Sequence, residues 1–428
     1  MYFGLMIAIF VIGYAMIALE HPLKINKSAT AVLLAAVIWA VFALFGPGIK
    51  DGALIHHLGE TAEILFFLLG AMTIVEIVDK HDGFSIITDR ITTTSKRKLL
   101  WIISILTFFM SAVLDNLTTS IVMCALLRKL VGDKNTRWFF AGMVILAANA
   151  GGAWSPIGDV TTIMLWIKGN ITAGSIILET IIPSLVSLLV PVAIIGMTMK
   201  GKLERPEKTE SEETSTVTRK QSLIILIMGV ALLLFVPFFK TITHLPPYLG
   251  ILFGLGILWI TTEIMHKNNP SNYSRLNVTA IIQKVDVPSV LFFLGILMAV
   301  SCLNEAGHLG QLAGVLDKLE NVYVINIVIG VLSSIIDNVP LVAAAMGMYP
   351  IEAIGNFAVA GAFWEGLAYC AGTGGSLLII GSAAGVAVMG MEKIDFIWYL
   401  KKISLWALIG YLAGAGTFYL MSTLIFHV

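Results

Sequence analysis

Twelve apolar runs divide this sequence, and each is long enough to cross the roughly 30 Å hydrocarbon core of a bilayer. Because 57% of the residues are hydrophobic and 13% are charged, a soluble fold would lack the polar surface to cover these runs. The sequence therefore predicts an all-α polytopic membrane protein. The runs fall at 3–19, 28–46, 61–79, 99–130, 137–167, 175–199, 221–239, 248–265, 285–303, 321–350, 352–390 and 396–426.

Several functional classes are disfavoured by composition. Cys124, Cys302 and Cys370 are odd in number and lie inside apolar runs, which indicates packing roles rather than disulfides or a metal cluster. The net charge of zero argues against a nucleic-acid partner. No nucleophile with a neighbouring base is evident, so we expect neither an enzyme nor a bound cofactor, and membrane lipid is the expected partner.

One charged segment splits the chain into two halves of similar length. Residues 200–220 read KGKLERPEKTESEETSTVTRK and contain no aromatic side chain, which is typical of a solvated linker. The halves are therefore 1–199 and 221–428. Each half presents the same order of runs: three spans, an over-long run containing Asp-Asn, an over-long run with a glycine-rich break, and a closing span.

The over-long runs predict hairpins and interrupted helices. We interpret 99–130 and 321–350 as re-entrant helical hairpins with Asp-Asn at their tips, and 137–167 and 352–390 as helices broken by glycines. Each half then has five crossings and one hairpin. Since five is odd, the second half must be inverted relative to the first, which is the architecture of many secondary transporters.

The distribution of basic residues gives an orientation to this topology. It places 23 of the 27 Lys and Arg residues on one membrane face, leaving Lys50, Lys168, Lys240 and Lys318 on the other. The positive-inside rule makes the basic face cytoplasmic. We therefore expect both termini outside, the first hairpin entering from the cytoplasm, the second entering from outside, and every basic residue at an interface.

The Asp-Asn pairs at the predicted hairpin tips point to a functional site. Asp115-Asn116 and Asp337-Asn338 occupy equivalent places in the two halves. An ionisable residue near the middle of a bilayer is costly and commonly marks an ion or proton path, although capping of the following helix is the simpler interpretation. The recurrence of the pair in both halves favours the ion path.

The broken helices carry a second set of oxygen ligands. The first break includes Asn149, Ser155 and nearby Asp159, and the second includes Thr373 and Ser376. Carbonyl, hydroxyl and carboxylate oxygens are hard ligands that suit Na⁺ or Li⁺. Close helix packing is the alternative role of the glycines.

Other titratable residues receive weaker predictions. Glu365 lies within an apolar stretch without a counterpart in the first half, which suits a proton pathway or a buried hydrogen bond. Glu63 is either a pathway acid or an interfacial charge. Six histidines are expected to be ordinary interfacial residues: His56, His57, His81, His244, His266 and His308.

These motifs together resemble the NhaD-type sodium/proton antiporters of the ion transporter superfamily. The similarity covers nearly the whole chain and rests on five blocks: ALEHPLKINK, LDNLTTS, NAGGAWSPIGDVTT, IDNVPLVAA and FWEGLAYCAGTGGSLLIIGSAAGVAV. The resemblance implies a homodimer with scaffold and transport regions in the plasma membrane of a bacterium. It also implies exchange of Na⁺ or Li⁺ for H⁺ by alternating access.

The resemblance also implies an ion site drawn from both halves. Carried onto matching positions, the site comprises Asp115, Asn116, Thr118, Asn149, Ser155, Asp159, Asp337, Asn338, Thr373 and Ser376. We expect the first half to dominate, with Na⁺ at Asp115, Asn116, Asn149, Ser155 and Asp159. The second half has Ser382 where the first has Asp159, so Asp115 and Asp337 are not expected to be equivalent.

The same superfamily includes carriers of oxyanions and carboxylates such as arsenite, citrate and dicarboxylates. Two acids at the hairpin tips would repel an anion and attract a cation, and no basic residue is expected near them. A cation/proton antiporter is therefore favoured, and a Na⁺- or H⁺-coupled anion carrier is the alternative.

Overall fold

The computed structural model of the chain describes residues 2–49, 51–203, 217–267, 276–335 and 337–426. Most of the predicted linker at 200–220 and the terminal Val428 lie outside these ranges. The described residues form α-helices joined by short turns, with two isolated β-bridges. The fold is therefore all-α, as predicted.

The first half contains ten helices among its described residues. They are α1 (Tyr2–Ala18), α2 (Glu20–Leu23), α3 (Lys27–Phe45), α4 (Ala53–Lys80), α5 (Ser85–Thr88), α6 (Lys96–Leu114), α7 (Asn116–Leu130), α8 (Lys134–Gly152), α9 (Val160–Ile167) and α10 (Ala173–Thr198). The predicted 99–130 run is thus two helices that meet at Asp115, and the 137–167 run is two helices separated by residues 153–159.

The second half follows a comparable order. Its described helices are α11 (Arg219–Thr243), α12 (Pro247–His266), α13 (Val278–Ile282), α14 (Val287–Glu305), α15 (His308–Leu316), α16 (Val322–Leu332), α17 (Asn338–Met348), α18 (Ala362–Gly374), α19 (Ala383–Glu392), α20 (Phe396–Lys402) and α21 (Ser404–Met421). Here the 321–350 run is broken before Asn338. The 352–390 run was predicted to be helical from its start, but residues 352–361 are irregular, so its first helix begins at Ala362 and the break falls at 375–382.

Eight of the described helices are long and apolar enough to cross a membrane. They are α3, α4, α6, α10, α11, α12, α14 and the C-terminal helix that begins at Ser404. Shorter apolar helices complete the bundle, including α1, α16, α17 and α19. The chain is accordingly a multi-pass membrane protein.

Polar side chains fix where the helices begin. Asn26, Ser95, Thr172 and Thr218 each accept a hydrogen bond from a backbone N–H in the first turn of α3, α6, α10 and α11. A helix has unpaired N–H groups in its first turn, and such caps satisfy them. The same chemistry recurs at the helix breaks, where Asp115, Asp159, Asp337 and Ser382 cap α7, α9, α17 and α19.

A partly buried cluster of one glutamate and two arginines joins the two halves at one end of the bundle. The Glu392 carboxylate accepts hydrogen bonds from Arg128 Nε at 2.6 Å and Arg137 Nε at 2.8 Å. Trp138 Nε1 donates to the Glu392 carbonyl at 2.9 Å. This cluster connects the end of α19 to α7 and α8.

Three of the predicted interfacial histidines are buried, which corrects the sequence-based expectation. His81 and His266 are almost inaccessible, and their Nε2 atoms lie 3.0 Å apart. His308 is also buried and lies against the ring of Phe3. The ends of α4 and α12 are neighbours, and each imidazole is covered by the other helix, a contact that sequence position alone does not reveal.

Candidate functional site

Asp159 lies where the two predicted hairpin tips and the two helix breaks approach one another. It precedes α9, and its Oδ1 accepts hydrogen bonds from the backbone N–H and the hydroxyl of Thr161, both at 2.9 Å. Its exposed fraction is 1%. The glycine-rich sequence around it allows this approach, because a Cβ on Gly152 or Gly158 would overlap backbone atoms across the break.

The turn between α6 and α7, which is the predicted tip of the first hairpin, reaches this carboxylate through Asn116. Asn116 Nδ2 donates to Asp159 Oδ2 at 2.6 Å and to Asn149 Oδ1 at 3.1 Å. All three side chains are buried. The hairpin tip and the first helix break, which the sequence predicted to lie together, therefore form one polar cluster.

The second half completes the cluster. Asn338 Nδ2 lies 3.4 Å from Asp159 Oδ2 and 3.5 Å from Oδ1. Asn149 Nδ2 donates to Ser376 Oγ and Ser382 Oγ, each at 2.9 Å. Asn149 can extend across because its equivalent in the second half is Gly372, which has no side chain and lies against Ala153.

Asp115 belongs to the hairpin tip, but its carboxylate is bonded to Thr118 and borders a small cavity instead of joining the Asp159 cluster. Its carboxylate accepts hydrogen bonds from the Thr118 backbone N–H at 2.8 Å and the Thr118 hydroxyl at 2.9 Å. Its backbone φ is 76°, a conformation that costs energy for a residue other than glycine and often marks a functional site. Apolar residues of α4 and α9, including Phe67 and Ile163, border the adjacent small cavity.

Asp337 also caps a helix, yet it is paired with a lysine. Lys27 Nζ lies 3.7 Å from Asp337 Oδ2, and the Asp337 backbone N–H donates to the Tyr14 hydroxyl at 2.9 Å. The expectation that no basic residue lies near the hairpin-tip acids is therefore wrong for Asp337, whereas the predicted position at an interface stays a prediction for Lys27. Its long side chain extends from the start of α3 to the hairpin tip.

Two other predicted ligands, Ser155 and Thr373, donate hydrogen bonds to backbone carbonyls. Ser155 Oγ donates to the Ala112 carbonyl at 2.5 Å, and Thr373 Oγ1 donates to the Tyr369 carbonyl at 2.6 Å. The Ser155 bond holds the first broken helix against the first hairpin. The Thr373 bond closes a helix turn. Neither hydroxyl is bonded to the Asp159 carboxylate.

The two glutamates predicted for a proton pathway lie in contrasting surroundings. Glu365 is fully buried on α18 near Ser175 and Glu179 of α10, and neither carboxylate oxygen has a hydrogen-bond partner of normal geometry among the described residues. Glu63 is only partly buried, on α4, within electrostatic range of Lys240. Neither belongs to the Asp159 cluster.

Sequence reasoning did not include Ser382 or Thr161 in the site. Ser382 is 223 positions after Asp159, close to the offset of 222 between Asn116 and Asn338, so the repeat itself was the signal for it. Thr161 contacts Asp159 through a local helix cap, a pattern so common that it gives no functional signal.

The chemistry of the cluster follows from what surrounds Asp159. Amide, hydroxyl and backbone groups contact its carboxylate, and within the described ranges no lysine, arginine or histidine forms an ion pair with it. Burying a carboxylate without a compensating positive charge is costly unless it takes up a proton or a cation. Such a site can hold either one in turn.

Comparison with known proteins agrees with these features. Residues 7–364 match the family model described as "Citrate transporter". The chain is 48% identical over 99% of its length to Sodium/proton antiporter 1 of Arabidopsis thaliana, covering 73% of that protein. It is 45% identical to Sodium/proton antiporter 2 of the same plant, over 96% of this chain and 98% of that protein. The Na⁺/H⁺ antiporter NhaD of Vibrio cholerae is 33% identical over 92% of this chain and 86% of its own length.

Proposed function

Because the chain belongs to the family of NhaD-type sodium/proton antiporters, within the group that the citrate transporter model describes, we propose that it exchanges Na⁺ or Li⁺ for H⁺ across a membrane. The transported ions are its substrates, and the reaction is secondary transport rather than enzymatic chemistry. Relatives named as sodium/proton antiporters at 30% identity or more support this function.

One structural observation carries the proposal for this chain: among the described residues, the buried Asp159 carboxylate contacts amides and hydroxyls but no basic side chain. Competition between Na⁺ and H⁺ requires a single carboxylate that binds one or the other. Asn116 and Asn338 place amide groups of both hairpin tips beside this carboxylate, and Asn149 adds one from a helix break, so a cation bound to Asp159 lies between the two halves. Alternating access then exposes this one site to each side in turn.

The proposed architecture is a pair of inverted repeats over 1–199 and 221–428, with the linker at 200–220. In each half a re-entrant hairpin, 99–130 or 321–350, packs on a broken helix, 137–167 or 352–390. Equivalent hydrogen bonds support the repeat: Ser111 Oγ donates to the Ala148 carbonyl, and Ser333 Oγ donates to the Ala371 carbonyl. The two bonds are related by offsets of 222 and 223 positions.

Close backbone approaches support the same repeat. A Cβ on Gly151 would overlap the carbonyl oxygen of Phe108, and a Cβ on Gly374 would overlap that of Gly330. Gly374 follows Gly151 by 223 positions, and Gly330 follows Phe108 by 222. Each proposed hairpin is thus packed against its broken helix through an equivalent glycine.

The proposed orientation places the linker in the cytoplasm and both termini outside. Its support is the concentration of 23 of the 27 basic residues on one face in this topology. The host is proposed to be a bacterial inner membrane, with a homodimer as the assembly, as the family resemblance implies. Cysteine labelling from either side of the membrane tests the orientation, and cross-linking in the membrane tests the dimer.

Two acids outside the cluster are proposed to lie on the proton path. Glu365 is fully buried without a hydrogen-bond partner of normal geometry among the described residues, so its carboxyl group is poised to hold a proton. Glu63 lies on α4 near Lys240 and is proposed as an entry residue. Replacing each by glutamine should slow exchange without abolishing Na⁺ binding to purified protein.

Everted membrane vesicles with a pH-sensitive dye test the function directly. After a proton gradient is established, added Na⁺ or Li⁺ should dissipate it, with K⁺ as the comparison cation and Asp159→Asn vesicles as the inactive control. The Asp89→Asn variant removes an exposed acid at the end of α5 and should behave as the unmodified protein. Dissipation that requires citrate, succinate or arsenite would assign the chain to anion transport instead.

A further inference from the structure

Lys27 is not part of the Asp159 cluster, but it contacts Asp337, an acid of the proposed ion site. It begins α3, which packs against α1 and α14, whereas Asp337 follows α16 at the second hairpin tip. The side chains are largely buried, with exposed fractions of 18% for Lys27 and 12% for Asp337. The ion pair therefore joins the start of α3 to the second hairpin tip.

The position of the lysine is fixed by several contacts. Its backbone N–H donates to Glu20 Oε1 at 3.1 Å, and its ammonium lies 4.5 Å from the ring centroid of Phe292 on α14. Tyr14 of α1 accepts the hydrogen bond from the Asp337 backbone. Tyr14, Glu20, Lys27 and Asp337 also line one small cavity of about 40 Å³.

We propose that Lys27 is an internal cation that occupies Asp337 in this conformation and competes there with the transported cation. This inference rests on the proposed Na⁺/H⁺ exchange and adds a residue to it. When a cation occupies Asp337, the attraction to the ammonium is lost and the hairpin tip can leave α3. When the site is empty, the ion pair returns the tip to α3.

The charged and titratable groups around Asp337 are consistent with this role. Lys27 faces it from α3, Tyr14 from α1 and Glu20 from α2 across the shared cavity, and Asp159 lies within electrostatic range. Lys27 is the positive group in this set, while Glu20 and Asp159 are acids. Removing the ammonium leaves the acids in place and makes Asp337 more attractive to a soluble cation.

Isothermal titration of Na⁺ into purified protein at alkaline pH, where protons compete least, tests the proposal. Lys27→Gln should strengthen Na⁺ binding by roughly 3- to 10-fold, the range expected for loss of one partly buried ion pair. Lys27→Met is a second variant without the charge, and Lys27→Arg should bind Na⁺ nearly as the unmodified protein does. Lys24→Gln removes an exposed charge three positions away and should change nothing.

The decisive comparison repeats Lys27→Gln in an Asp337→Asn background, where the strengthening should vanish. Unchanged or weaker Na⁺ binding in both Lys27→Gln and Lys27→Met would overturn the proposal. So would an equal strengthening in the Asp337→Asn background or in Lys24→Gln, because each would indicate a general charge effect. If the unmodified protein binds and exchanges no Na⁺, the proposed function itself fails at an earlier step.

Discussion

Asn116 donates a hydrogen bond of 2.6 Å to Asp159, and this contact joins the tip of the first hairpin to the break between α8 and α9. The two residues are 43 positions apart, and both are buried. Since α7 begins at Asn116 and α9 begins just after Asp159, the partial positive charge of both helix starts is directed toward the same carboxylate. These partial charges stabilise the ionised carboxylate in its buried site, so it can stay negatively charged for a small cation without a basic side chain of its own.

Asp159→Asn should abolish both Na⁺ binding and exchange. The amide is nearly the same size but has no charge, so it can neither carry a proton nor balance a cation in a buried site. Isothermal titration should give no Na⁺ heat, and vesicles should hold their proton gradient when Na⁺ is added. The Asp89→Asn protein is the matched control, and undiminished exchange in Asp159→Asn would remove Asp159 from the ion site.

Asp115→Asn and Asp337→Asn should differ in spite of their equivalent places in the repeat. Asp115 is in an unfavourable backbone conformation with Thr118 as its partner, whereas Asp337 is paired with Lys27. We expect Asp115→Asn to abolish exchange, and Asp337→Asn to retain measurable Na⁺ binding with impaired transport. If Asp337→Asn loses Na⁺ binding and Asp115→Asn retains it, the main ion site lies in the second half and not in the first.

The sequence was sufficient to predict the helix interruptions because they depend on local chemistry. Asp115 stands between two apolar segments, and glycines precede Asp159, so the interruptions at 115 and at 153–159 follow from capping and backbone freedom. The contact between Asn116 and Asp159 was also predictable. Both residues belong to the polar motifs of the first half, one at the predicted hairpin tip and the other at the predicted helix break.

The contacts between halves were harder to predict from sequence. Asn149 reaches Ser376 and Ser382 across more than 220 positions, and Lys27 reaches Asp337 across 310. Such pairs depend on how helices pack in three dimensions, and a side chain as long as lysine can leave the interface where its backbone begins. The burial of His81 against His266 has the same origin.

Gly151→Ala and Gly374→Ala should each destabilise the protein by about 1–3 kcal/mol, because an added methyl group overlaps a backbone carbonyl that cannot rotate away. Thermal unfolding in detergent should show a lower transition temperature for both variants. Gly174→Ala in α10 is the control, since a Cβ there meets no atom within 4 Å. Equal transition temperatures for all three variants would show that the hairpins do not pack through these glycines.

Glu392→Gln should lower stability by about 1–3 kcal/mol, less than the loss of a fully buried ion pair. The Glu392 side chain is 1% exposed and bridges two arginines, but Arg128 is 48% exposed and Arg137 is 22% exposed, so water can partly solvate the arginines after the charge is removed. The transition temperature should fall and should become less sensitive to salt. Glu320→Gln, an exposed residue near the end of α15, is the control. A stability equal to that of the control would mean that the cluster does not fasten α19 to α7 and α8.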